Sequence, residues 1–215
     1  MSSRWTIAAA ALAVVSGCGG GARQDVNEPT GRYQVAVTTA RFPSTQRLSQ
    51  HTHLVIAIRN ASHKTIPDVA VTVCNVSCNA PAQPGSGTGT AAFSENIQTT
   101  GLANPSRPVW IVDRPPGPCQ YSCRSGGPGA AVTAYSNTWA LGRLRPGATA
   151  TFDWGVTAIK PGRHVIEYAV AAGLNGKAKA VLSGGGRPSG TFSVTVLSKP
   201  QHSYVSNSGQ IVNAP

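Results

Sequence analysis

Carboxylates are scarce in this chain: 215 residues carry seven Asp plus Glu against 18 Lys plus Arg, a formal net charge of +11 at pH 7. Asp25 and Glu28 fall in a polar approach segment and Asp153 and Glu167 in alternating stretches, so no local acid pair suits glycosidase-type chemistry. Asp153 and Glu167 are expected to pair with Arg or Lys on a neighbouring strand. The only Met is the initiator, which removes the thioether ligands a copper(I) carrier would use. Helical signal is also missing. No segment after residue 17 keeps an apolar 3.6-residue period over three turns, and 24 Gly with 16 Pro oppose long helices. Without a helix, a Gly-x-Ser-x-Gly elbow or a phosphate-cradling Gly loop loses its context. Gly126-Gly127-Pro128-Gly129 and Gly184-Gly185-Gly186 therefore read as turns. The expectation is a non-catalytic protein without a cofactor.

What is present begins with an address. Arg4 precedes an apolar stretch from Ile7 to Val15 that is too short to span a bilayer and ends in small residues, the pattern of a secretory signal. Val15-Ser16-Gly17-Cys18 resembles the lipobox of bacterial lipoproteins. That resemblance implies cleavage before Cys18, acylation of its sulfur, and residence on the extracytoplasmic side of the cell membrane. Residues 1–17 are then the signal peptide, and 18–32, opening Gly19-Gly20-Gly21, a flexible tether. Beside a membrane or cell wall, the surplus of Lys and Arg favours phospholipid headgroups or acidic envelope polymers over nucleic acid. The basic residues are spread along the chain. Only the stretch after Glu167 lacks acids altogether, and it holds Lys177, Lys179, Arg187 and Lys199.

Two stretches alternate apolar and polar residues. Tyr33 to Thr38, Leu54 to Asn60 and Val69 to Val73 form the first group. Trp139 to Leu144, Ala150 to Ala158, His164 to Ala172, Lys177 to Leu182 and Thr191 to Leu197 form the second. Arg145-Pro146-Gly147 and Lys160-Pro161-Gly162 punctuate it as type II turns, with Pro presetting φ and Gly allowing a positive one. Seven or eight short strands at this spacing describe an all-β, immunoglobulin-like β-sandwich over residues 33–197, with Trp139 and Trp154 in its core or rim. Residues 74–138 read as an insertion rich in Gly, Pro, Ser and Thr, and 198–215 as a flexible C-terminal tail.

Cys74-Asn-Val-Ser-Cys78 and Cys119-Gln-Tyr-Ser-Cys123 bracket most of that insertion. Outside the cytoplasm, four thiols at matched spacing read as two disulfides. In an extended chain a bridge within one C-x3-C exceeds the reach of a disulfide, which favours Cys74 to Cys123 and Cys78 to Cys119. Such bridges would tie the insertion into a lobe on the sandwich. Arg107, Trp110, Arg114, Tyr121 and Arg124 then form a candidate patch for contact with an acidic polymer or another envelope protein, unless Trp110 fills the lobe's own small core.

The alternative chemistry uses the same cysteines. C-x3-C with a nearby His resembles the copper site of respiratory-chain copper chaperones, which implies a copper or zinc carrier, or a thiol-redox protein, with His51 and His53 as imidazole donors. On a strand, positions 51 and 53 point to one face, and a polar strand entry is the commoner explanation for such a pair. His63, His164 and His202 stand alone, with His164 expected at the surface. An accessory subunit of an envelope transport complex is a further alternative.

Trp139-Ala-Leu-Gly-Arg-Leu-Arg-Pro-Gly-Ala-Thr-Ala-Thr-Phe152 and Lys160-Pro-Gly-Arg-His-Val-Ile-Glu-Tyr-Ala-Val170 are similar to the second half of CARDB-type domains, the cell-adhesion-related modules of bacteria. Leu54 to Val73 is similar to their strand, Asn, turn, strand opening. The resemblance implies an immunoglobulin-like fold and a role as spacer, adhesin or accessory module. As a whole the chain resembles actinobacterial lipoproteins.

Overall fold

A computed structural model describes residues 25–75, 78, 93–95, 108–117, 137–200 and 202–213. Among them run thirteen strands: β1 (Gly31–Arg41), β2 (Thr45–Leu48), β3 (His51–Asn60), β4 (Ala70–Asn75), β5 (Phe93–Glu95), β6 (Trp110–Arg114), β7 (Thr138–Ala140), β8 (Thr149–Ala158), β9 (Gly162–Ala171), β10 (Ala178–Val181), β11 (Ser189–Pro200), β12 (Ser203–Val205) and β13 (Ile211–Asn213). One sheet has the order β10-β1-β3-β8-β6-β5, the second β2-β11-β9-β4-β7, and β12 pairs with β13 alone. Taken in chain order, β1, β3, β4, β6, β8, β9 and β11 supply the seven strands of an immunoglobulin domain. The first, second, fifth and fourth share one sheet, and the third, sixth and seventh the other. The all-β, immunoglobulin-like sandwich expected from the sequence is the architecture observed.

Alternation places the core. In β3, Leu54, Ile56 and Ile58 are fully buried while His51, His53 and Arg59 face solvent. Phe152, Trp154 and Val156 of β8 do the same beside them, and Val71, Val73, Ile166, Val194 and Val196 meet them from the opposite sheet. Each such side chain contributes roughly 1.5–3 kcal/mol by leaving water. Trp139 and Trp154 meet edge to face, with ring centroids 5.5 Å apart. The turn at 145–148 forms as expected: Ala148 N–H donates to the Arg145 carbonyl at 3.1 Å, and Gly147 takes φ +74°.

Several boundaries differ from the sequence reading. Within the expected insertion, the described segments β5 and β6 join the six-stranded sheet, and the rest of residues 74–138 lies largely outside the described residues. Trp110, fully buried, lies in the sandwich core against Phe42 and Phe93 rather than in a mini-core or a contact patch. Its indole Nε1 donates to Gln46 Oε1 at 2.7 Å, which satisfies a polar group buried with it. From Asp25 the tether is docked. Glu28 accepts from the backbone N–H of Asn175 at 2.7 Å and of Ala178 at 2.6 Å, and β1 begins at Gly31. Residues 18–24 lie outside the described residues. The C-terminal segment is a hairpin, β12-β13, closed by Ser206 N–H donating to the Gln210 carbonyl at 2.8 Å.

The disulfide pairing is also corrected. Cys74 bonds Cys78, with Cα atoms 5.1 Å apart, so the Cys74–Cys123 and Cys78–Cys119 pairings do not form. β4 ends at Asn75, so the extended-chain distance does not apply, and the 5.1 Å between the two Cα atoms lies within the reach of a disulfide. Glu167, opposite Cys74 on β9, holds Cys78 there by accepting from its backbone N–H at 3.0 Å. Cys119 and Cys123 lie outside the described residues.

Candidate functional site

The acid-free stretch after Glu167 folds into a cationic groove. β10 is the outer strand of the six-stranded sheet and pairs in parallel with β1, placing Arg32 opposite Lys179 in register. Both side chains are exposed, and Arg187 joins them from the connection between β10 and β11. The groove measures about 410 Å³, with Val170 and Ala180 contributing apolar surface beneath the three cations.

No carboxylate lines this groove, because all seven are placed elsewhere. Glu28 is held by two backbone N–H groups, and Asp25, Glu28 and Asp68 line a different cavity of about 450 Å³ with Arg143. Burial pushes the Asp68 carboxyl above its ordinary range. A hydrogen bond from Gly142 N–H opposes this in part, and the nearby Glu28 charge adds to it. Glu95 lies on β5 at the far edge of the sheet, and Glu167 holds Cys78. Asp113 and Asp153 belong to a second polar cluster described next.

The second cluster lies on the outer face of the same sheet, where β3, β8 and β6 run side by side. His51 and His53 point outward together, as their i, i+2 spacing requires, with ring centroids 5.4 Å apart. His51 Nδ1 meets Asp113 Oδ2 at 3.0 Å, and His53 Nδ1 meets Asp153 Oδ1 at 2.8 Å. Thr157 donates to Asp113, and Arg114 donates to Asp153 Oδ2 at 2.9 Å, realising the cross-strand partner expected for Asp153. A bulge in β6 makes this possible. Val112 pairs with Val156 but Arg114 pairs with Gly155, so Asp113 is the extra residue and two consecutive side chains reach the outer face. Gly155 leaves the space: a Cβ there would meet His51 Cε1 at 3.0 Å and Arg114 Cβ at 3.2 Å.

The patch expected from Arg107, Trp110, Arg114, Tyr121 and Arg124 is not assembled among the described residues. Trp110 is core and Arg114 is committed to Asp153, while Arg107, Tyr121 and Arg124 lie outside them. His164 is half-buried against Trp110 rather than at the open surface. Among the described residues no three His, Cys, Asp or Glu side chains converge to hold a metal ion. The sequence signalled the groove through its missing acids. It carried no signal for Asp113, because the bulge that presents it is a tertiary feature.

No family model matches the chain, and no curated protein matches it. Solved structures with local similarity include Escherichia coli α2-macroglobulin from domain MG7 to the C-terminus (13% identity, 83% of this chain and 21% of that one, TM-score 0.38). Salmonella α2-macroglobulin reacted with methylamine is another (11%, 79% and 7%, TM-score 0.37). A third is the ASH/PapD-like domain 7 of human CEP192 (10%, 86% and 98%, TM-score 0.36). The chain thus spans about a fifth or less of the macroglobulin chains it matches, and the immunoglobulin-like architecture stands on its own strand order.

Proposed function

We propose that this chain is a lipid-anchored, extracytoplasmic envelope protein that acts without catalysis, as a binding or scaffolding module for polyanions. The lipobox resemblance at Cys18 supports the anchor and the location. The observation that carries the binding role is the groove where Arg32 and Lys179 face each other with Arg187 beside them and whose lining holds no Asp or Glu. Its ligand presents closely spaced phosphate or carboxylate groups, as acidic envelope polymers and anionic headgroups both do. In a protein with so few acids, a cationic edge raises the local concentration of such a partner before contact. The resemblance to CARDB modules supports the scaffolding part of the reading.

The experiment uses the soluble chain carrying Cys18→Ser, with an acidic polysaccharide in one arm and phosphatidylglycerol vesicles in the other. Saturable binding in either arm that falls at least tenfold in Lys179→Glu/Arg187→Glu supports the groove and identifies the source. Equal binding by the variant in both arms would overturn it. For the anchor, a palmitate analogue fed to cells should label the native chain and not Cys18→Ser. An unlabelled native chain would refute the lipidation.

A further inference from the structure

Two of only seven carboxylates are spent on two neighbouring histidines, and nothing in the polyanion reading uses that investment. We propose that His51 and His53 form a surface site for a borderline divalent transition-metal ion, Zn²⁺ or Cu²⁺, with water completing the coordination shell.

Each ring has its Nδ1 on a carboxylate, His51 on Asp113 and His53 on Asp153. A neutral imidazole donating from Nδ1 carries its lone pair on Nε2; at His53 the Asp153 contact of 2.8 Å is shorter than the 3.4 Å to Arg114 Nη2, so the carboxylates favour in both rings the tautomer that ligates through Nε2. Carboxylate partners of this kind orient metal-binding histidines and raise their basicity. Spacing agrees as well. With Nε2 about 2.0–2.1 Å from a metal, each ring centroid lies about 3.2 Å from it, and a tetrahedral angle separates two centroids by roughly 5.2 Å. The rings here are 5.4 Å apart and nearly perpendicular, at 87°.

Local charge favours a cation despite the basic whole. With neutral imidazoles, Asp113 and Asp153 outweigh Arg114 by one negative charge, and Arg114 is tied to Asp153 by an ion pair of 2.9 Å. The rings are about half exposed, at 53% and 46%, so an ion can reach them from solvent. Gly155 beneath them admits the His51 ring, and the β6 bulge delivers its carboxylate. Two protein ligands make an open site, able to take further ligands from water or from a partner's side chain. Cys74 and Cys78 have no part in it, since they are bonded to each other at the end of β4 in the opposite sheet.

The test titrates Zn²⁺ alone into the soluble mature chain after alkylation of free thiols, followed by calorimetry and by the Hε1 resonances of the five His. The expected result is one ion per chain, with two resonances shifting together. His51→Ala/His53→Ala should abolish that ion, and Asp153→Asn should weaken it about tenfold while leaving the circular-dichroism spectrum unchanged. Absence of saturable binding by the native chain would overturn the site. So would an unchanged stoichiometry in the double variant, or shifts confined to His63, His164 or His202.

Discussion

At the scale of single residues, Asn60 shows how a motif position is a structural requirement. It is fully buried at the end of β3, where its amide donates to the carbonyls of Lys64 at 2.9 Å and Leu144 at 2.8 Å. Its Oδ1 accepts from the backbone N–H of Ser62 at 2.9 Å and from the Ser62 hydroxyl at 2.6 Å. The Asn in the strand, Asn, turn, strand opening thus ties that turn to the distant Leu144, which is a matter of stability and carries no ligand. Asp68 is the opposite case, a carboxyl held above its ordinary value of 3.8 by burial. Because its folded pKa is raised, the neutral acid's advantage is fully present below 3.8. It is lost as pH rises through the folded value, so at neutral pH the ionised group weighs against the fold. Asp68→Asn keeps an oxygen for Gly142 N–H and removes the charge that faces Glu28. Thermal melts should show Tm higher than native by about 1–3 °C at pH 7. The gap should close below the unfolded value, and a gap that persists in acid would contradict burial as its cause.

At the scale of elements, the readable strands were those whose alternation is long. β3, β8 and β9 each run ten residues, and their alternation was legible from sequence. β6 is five residues with a bulge, and Trp110-Ile-Val-Asp-Arg114 has too few alternations to mark it as a sheet strand. The two clear stretches together already held enough residues for one sandwich, which hid the need for the strand that β6 supplies. The same local view misled the cysteine pairing, since the extended-chain distance applies only while the strand continues and β4 stops at Asn75. The consequence is energetic. A bridge closing a five-residue loop contributes about 2 kcal/mol in the chain-entropy model, against about 4 kcal/mol for the fifty-residue loop of the cross-pairing. Cys74→Ser/Cys78→Ser should therefore lower Tm by about 4–8 °C. A loss twice that size, or a non-reducing peptide map joining Cys74 to Cys119 or Cys123, would sink the local bridge.

At the scale of the whole molecule, the groove lies beside the segment through which the described chain begins, Asp25 to Glu28. Asp25 is seven residues beyond Cys18, a reach of about 25 Å at full extension. The Asp25–Glu28 segment docks on Asn175 and Ala178, directly beside the β1–β10 edge that carries Arg32 and Lys179. An acylated Cys18 would hold those cations close to the headgroup layer, where each is worth about 1 kcal/mol against an anionic surface. Three such charges amount to roughly a hundredfold in affinity. Replacing Arg32, Lys179 and Arg187 with Ala in the Cys18→Ser chain should then weaken binding to phosphatidylglycerol vesicles about a hundredfold at physiological salt. Near 1 M salt the Debye length shrinks to about 3 Å and the native and substituted chains should converge. Co-sedimentation across a salt series measures both limits. A difference that survives high salt would mean that the apolar floor of the groove, with Val170 and Ala180, rather than its charge, selects the ligand.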